Sequence, residues 1–106
     1  MKVIATTITE RENKLKLITS KDSAKNHINE TFTIMDIMVY EKNDSRITGI
    51  IGQDENGKEI VLSSNSNSIA DTAELLIDIF ERDNPIKITI RKQQSGNKRE
   101  YLYLEV

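Results

Sequence analysis

The ten residues "TFTIMDIMVY" (31–40) constrain the fold of this chain most. They are β-branched, aromatic or long apolar side chains with few polar breaks, which predicts a long strand buried in part on both faces. A strand with two apolar faces must serve two packed surfaces. It does so most simply by bending and contributing to both halves of a barrel.

The segments after residue 40 continue the pattern. "EKNDS" reads as a loop, and "RITGIIGQ" (46–53) as a second strand whose Gly49 and Gly52 mark a bend or bulge. "DENGKE" is a hairpin signal, with Asn56-Gly57 suited to a turn that needs positive φ at both central residues. "KEIVLSS" supplies a third strand. After "SNSNS", Ser68 is the expected N-cap of a helix through "IADTAELLIDIFE", with Asp71 near its positive end. Ile69, Ala73, Leu76, Ile77 and Phe80 recur at helical spacing and should form its buried face, while Asp71, Glu74, Asp78 and Glu81 stay in water. Pro85 comes shortly after the helix. In "IKITIRK", Ile86, Ile88 and Ile90 alternate with Lys87, Thr89 and Arg91. "QQSGN" turns the chain, and "REYLYLEV" places Leu102 and Leu104 opposite Tyr101 and Tyr103.

Five short strands with one helix between the third and fourth match the order of an OB-fold, a small Greek-key barrel. An open α+β sheet is the rival, and the two-faced first strand favours the barrel. At 106 residues there is room for one domain, expected at 30–106. Residues 1–29 read as a basic N-terminal arm. In it "KVIATTIT" favours an extended segment, "TERE" has the form of a capping box, "NKLKLIT" alternates like a strand, and Ser20 suits the cap of a short helix through "SKDSAKNHI".

Charge is distributed unevenly over a chain of net −2. Six cations oppose three acids in 1–29, four oppose twelve in 30–84, and five oppose two in 85–106. A basic surface can therefore exist on an acidic protein. The chain has no cysteine, which excludes disulfides and thiolate metal sites. No apolar run has the length of a membrane span, and no secretory leader is evident, so a cytoplasmic location is expected.

Catalytic chemistry has little to work with. His27 is the only histidine and sits in a polar context, where a structural or capping role is expected. "DENGKE" lacks the bidentate Glu at the twelfth position of a calcium loop. Neither a phosphate-cradling glycine loop nor a nucleophile elbow is present. The expectation is a protein that is not an enzyme and holds neither metal nor cofactor.

Binding chemistry is better represented. Single-stranded nucleic acid needs cations for phosphates and flat π surfaces for bases. Lys87 and Arg91 lie on the polar face of the fourth strand, and the final hairpin adds Lys92, Lys98 and Arg99. Tyr101 and Tyr103 share one face of the last strand. Tyr40 ends the first strand beside Lys42 and Arg46. In an OB-fold the loops between strands 1–2 and 4–5 flank the ligand, and here these are "EKNDS" and "KQQSGNK". The competing reading is that tyrosines alternating with leucines form a second packed surface, and that a basic hairpin protects an edge from aggregation.

The chain resembles the small single-stranded-DNA-binding proteins of tailed bacteriophages of Gram-positive hosts. The resemblance runs through "NKLKL" (13–17), "HINETFTIMDI" (27–37), "DENGKEIVLSS", "SIADTAELLIDIF" and "PIKITIRKQQSGNKREYLYLEV". It implies non-catalytic coating of single-stranded DNA in phage replication or recombination, in the host cytoplasm. Phage or host replication proteins and further copies of the chain are the other partners it admits. It also implies that Lys87, Arg91, Lys92, Lys98 and Arg99 contact the DNA backbone and that Tyr101 or Tyr103 stacks on bases. The alternative is a protein-interaction module, a phage inhibitor or adaptor of a host protein. Its acidic middle would mimic nucleic acid and its tyrosines would anchor an interface.

Overall fold

A computed structural model describes residues 1–106. In chain order the elements are β1 (Lys2–Thr6), α1 (Arg11–Thr19), β2 (Thr31–Lys42), β3 (Ser45–Gln53), β4 (Glu59–Ser64), α2 (Asn67–Ile79), β5 (Lys87–Gln94) and β6 (Glu100–Glu105), with a single 3₁₀ turn at Ala24–His27. The six strands form one antiparallel sheet in the order β4-β3-β2-β5-β6, and β1 joins at β2. The sheet is open. No ladder connects its outer strands β4 and β6.

The long strand β2 explains this layout. One edge pairs with β3 along nearly its whole length, from Thr33↔Gln53 to Lys42↔Ser45. The opposite edge is divided. Thr31–Thr33 pair with β5, and Met38–Glu41 pair with β1. The register with β3 shifts between Ile34 and Asp36, as a bulge requires. The extra residue reverses which parity faces inward. Phe32 and Ile34 point into the main core before it, and Ile37 and Val39 do so after it. Met38 and Tyr40 then point to the other side, where they pack with Leu17 and Ile51 in a second, smaller cluster. The two apolar faces read from the sequence are thus one inner face that changes parity, plus an outer patch covered by α1.

The main core gathers Phe32, Ile37, Ile50, Leu62, Ile88, Ile90, Leu102 and Leu104 under α2, which contributes Ile69, Ala70, Ala73 and Leu76. Full burial of each large aliphatic side chain here contributes roughly 1.5–3 kcal/mol. α2 begins earlier than its sequence suggests. Ser66, not Ser68, is the cap, accepting from the Ile69 amide at 3.2 Å while donating to the Leu102 carbonyl at 2.8 Å. Phe80 closes the helix and is only partly buried, with the Arg82 guanidinium 5.4 Å from its ring centre. It is therefore a helix-end cover rather than the core residue that its spacing predicts.

Two hairpins depart from expectation in an informative way. Asn43 and Asp44 both have positive φ (53° and 63°) and make the two-residue turn between β2 and β3. The Asn56-Gly57 loop is longer. The Gly57 amide bonds the Asp54 carbonyl at 3.0 Å, the Asp54 amide bonds the Lys58 carbonyl at 3.0 Å, and only Gly57 of that pair has positive φ (79°).

The basic segment 1–29 packs onto this sheet. "NKLKLIT", which alternates like a strand, is helical and forms most of α1. Glu10 stands at the N-cap of α1 without a side-chain capping bond, so "TERE" makes no capping box. Leu17 is 1 % exposed, and Ala24 is fully buried within the main core. Ser23, rather than Ser20, caps the 3₁₀ turn, and Ser20 instead donates to the Val61 carbonyl at 2.8 Å. His27 pins the same turn, its two ring nitrogens 2.7 Å from Asp22 and 3.0 Å from Glu30 and its ring edge-on to Phe32. A polar knot completes the attachment. Asp36, 3 % exposed, accepts from Thr7 at 2.8 Å, Asn13 at 2.9 Å and Arg82 at 3.0 Å. No helix is long and apolar enough to cross a membrane.

Candidate nucleic-acid interface

The outer face of the sheet has two halves. Over β3 and β4 it is covered by α1, whose Leu17 packs with Met38, Tyr40 and Ile51 and whose Lys16 reaches Glu59 at 3.2 Å. Over β5 and β6 no helix lies on it. Alternation decides what this bare half displays. Ile88 and Ile90 point inward on β5, so Lys87, Thr89, Arg91 and Gln93 point outward. Leu102 and Leu104 point inward on β6, so Tyr101, Tyr103 and Glu105 point outward. The register places Arg91 opposite Tyr103 and Gln93 opposite Tyr101. The surface continues onto β2 through Thr31, whose hydroxyl meets that of Thr89 at 2.8 Å.

The two tyrosines are side by side, with ring centres 6.1 Å apart and planes inclined by 46°. Tyr101 is 39 % exposed and Tyr103 is half-buried. Arg91 is held in place beside them. Its guanidinium donates to Asn29 at 2.9 Å and lies 3.4 Å from Glu105. Lys87 stands exposed at the start of the same strand.

The hairpin tip extends the basic surface. Its backbone repeats the Asp54–Lys58 loop: the Lys98 amide bonds the Ser95 carbonyl at 2.9 Å, and the Ser95 amide bonds the Arg99 carbonyl at 2.7 Å. Lys98, with φ of 60°, occupies the place that Gly57 fills in the other hairpin. An L-residue in this left-handed conformation costs about 1–2 kcal/mol relative to the right-handed one. Both Lys98 and Arg99 project from the tip as exposed cations.

A polar cleft of about 680 Å³ adjoins this face at the gap between β4 and β6. Its lining includes Lys25, Asn65, Ser66, Ser68, Lys92 and Tyr101. Lys92 also pairs with Glu100 at 2.9 Å inside it. Lys25 escapes sequence reasoning because its segment reads as an arm, and only the packing of the 3₁₀ turn brings it to the cleft. The run "SSNSNS" reads as loop and cap, and it does cap α2 through Ser66 while lining the cleft.

Six of the expected contact residues lie on this face or at its tip: Lys87, Arg91, Lys98, Arg99, Tyr101 and Tyr103; Lys92, opposite Leu102, has the other parity and lies in the adjoining cleft. The other three do not join them. Tyr40 is 6 % exposed beneath α1, and burial pushes its phenol up from the ordinary tyrosine value. It offers no ring to a base. Lys42 is exposed at the far end of β2, beyond the stretch that borders β1 rather than β5. Arg46 is engaged by α2, 2.8 Å from Asp71 and 2.7 Å from Glu74, and also donates to the Asn67 carbonyl. Asp71 first, then Glu74, hold its guanidinium even more firmly charged than usual. The loop expected to form a second wall is instead a two-residue turn whose neighbouring arginine fastens a helix.

No family model, curated protein or solved structure matches the chain.

Proposed function

We propose that the chain binds single-stranded DNA without catalysis and with little base preference, along the outer face of β5 and β6. The observation that carries this reading is the pairing of Tyr101 and Tyr103, side by side on a bare sheet face, with Gln93 and Arg91 directly opposite them. Such a face supplies stacking surfaces for successive bases and, at its margins, cations for the phosphates. Lys87, Lys98 and Arg99 border it without ion-pair partners in the chain. Lys92 and Lys25 extend the positive margin into the cleft.

The strand order supports an OB-like reading of this surface. The order β4-β3-β2-β5-β6, with α2 between β4 and β5, is that of a five-stranded Greek-key barrel unjoined at the seam between its third and fifth strands. The usual ligand face of such a barrel is on its second and third strands. Those correspond to β3 and β4, where α1 occupies the surface, so binding here uses the neighbouring strands. The resemblance to phage single-stranded-DNA-binding proteins adds weight in the same direction, toward coating of DNA during replication or recombination.

Fluorescence anisotropy with labelled oligo-dT and a matching duplex, at several salt concentrations, tests the proposal. The wild type should prefer the single strand. Lys92→Ala with Arg99→Ala should weaken binding similarly for all base compositions. It should also flatten the salt slope by about 0.7 per lost phosphate contact. Tyr101→Ala or Tyr103→Ala should lower affinity by roughly 1–3 kcal/mol with little change in that slope. Absence of single-strand binding by the wild type at low salt would overturn the proposal.

A further inference from the structure

Two surfaces outside the tyrosine face expose large apolar side chains, and they carry opposite charge. The first is the outer side of α2. The helix buries Ile69, Ala70, Ala73 and Leu76, which leaves Leu75 and Ile79 one turn apart on the opposite side, 68 % and 66 % exposed. Asp78, beside Ile79 on α2, and Glu81, just past the helix end, are exposed and have no ion-pair partners in the chain. At the end of the helix, Arg82 donates to the carbonyl of Met35, itself 38 % exposed.

The second surface is a groove of about 540 Å³ along α1, walled by Met1, Ile8, Leu15 and Ile18. Met1, Leu15 and Ile18 are 62 %, 47 % and 37 % exposed. Arg11 and Lys14 line the same groove, opposed there only by Glu10, and neither has an ion-pair partner in the chain.

We propose that these unlike faces recognise each other between copies of this chain, the Leu75–Ile79 ridge of one seating in the Ile8–Leu15–Ile18 groove of the next. Shape and charge select this occupant. The ridge is convex, apolar and flanked by free carboxylates; the groove is concave, apolar and flanked by free cations. Each supplies what the other lacks. A contact between two α2 faces would instead place Asp78 and Glu81 against their own like charges, which disfavours it. The contact is therefore between different patches rather than a patch and itself. It does not depend on DNA binding.

Sedimentation velocity on the full chain, without nucleic acid, tests the proposal. The wild type should associate as concentration rises, and added salt should weaken association. Leu75→Lys with Ile79→Lys removes the ridge, and Arg11→Glu with Lys14→Glu reverses the groove's charge through two exposed residues. Each variant alone should stay monomeric where the wild type associates, with association at least tenfold weaker. The groove variant mixed with Asp78→Lys/Glu81→Lys should recover association, because the intact ridge of one meets the intact groove of the other and the two reversed patches also match. The ridge variant mixed with the groove variant Leu15→Glu/Ile18→Glu should also form a dimer, since each retains one intact face. Melting curves confirm that every variant is folded. A wild type that stays monomeric at all concentrations overturns the proposal. Undiminished association of either single-face variant, or failure of both mixtures to associate, overturns it equally.

Discussion

Leu17 of α1 rests on the bare backbone of Gly49 in β3. A methyl group at Gly49 would lie 3.1 Å from the Leu17 Cδ2 and 3.2 Å from its Cβ. The missing side chain is what lets the helix descend onto the strand and cover Met38, Tyr40 and Ile51. Gly49→Ala should lift α1 by a few tenths of an ångström and cost about 1–3 kcal/mol, as overpacking of a tight contact does. A denaturant midpoint equal to that of the wild type would show that the helix yields freely.

Removing residues 1–29 takes away more than charge. It strips β1 from β2, Leu17 from its cluster and Ala24 from the main core. Although residues 30–106 contain every strand and helix of the expected barrel, the truncated chain should lose its cooperative thermal transition. A sharp transition near the wild-type temperature, monitored by circular dichroism, would contradict this.

Lys98 separates folding from binding. Lys98→Gly relieves the left-handed backbone at the hairpin tip. It should raise stability by up to about 1 kcal/mol. The same change removes a cation from the proposed DNA face and should flatten the salt dependence of binding by about 0.7. Denaturant melts and anisotropy on one preparation would read both effects, which should have opposite signs.

Arg82 and Arg46 both pair with carboxylates, yet their loss should differ. Arg82→Ala leaves Asp36, 3 % exposed, without its counter-charge and removes donors to the Thr7 and Met35 carbonyls. The expected cost is about 2 kcal/mol, less than for a fully enclosed pair because Arg82 itself reaches solvent. Arg46→Ala breaks pairs with Asp71 and Glu74 at the surface and should shift the midpoint less. Chemical denaturation of the two variants side by side gives the order.

The 3₁₀ turn should respond to acid. The Asn26 side chain first, then His27, hold the Asp22 carboxyl below its ordinary value of 3.8. A carboxylate with a depressed folded pKa contributes stability that is present above the unfolded value and is lost as pH falls through the folded one. The wild type should therefore exceed Asp22→Asn in stability at about pH 5, and the difference should close below the ordinary carboxylate range. Thermal melts at a series of pH values, between about pH 2 and pH 5, would show whether the two curves converge.

Much of this architecture was legible in local pattern. The alternations at 86–92 and 99–106 set Ile88 and Ile90 opposite Thr89 and Arg91, and Leu102 and Leu104 opposite Tyr101 and Tyr103, and the structure turns the isoleucines and leucines inward. The helical spacing of Ile69, Ala73 and Leu76 marked the buried side of α2. What local pattern lacked was the cover. "NKLKLIT" satisfies a strand or a helix equally, because only Leu17 needs burial, and the choice is made by the smooth track at Gly49 far along the chain. Once α1 lies there, Tyr40 passes from an end-of-strand aromatic to a buried one. The bulge after Ile34 was equally hidden, since an inserted residue in an apolar run leaves the run apolar. Among the cations, Arg46 looked like its neighbours until α2 brought two carboxylates to it.

The divided edge of β2 also sets a timetable for the chain as it is synthesised. β1 emerges first, but its partners, Met38–Glu41, come 32 to 39 residues later. Until they appear, its apolar residues have nothing to pair with. The β2–β3 hairpin, closed by a two-residue turn, is the first pairing available to nearby residues. Its completion offers β1 a berth while the other portion of the same edge, Thr31–Thr33, waits for β5. The early strand and the late strand are thus berthed on one edge without competing for it.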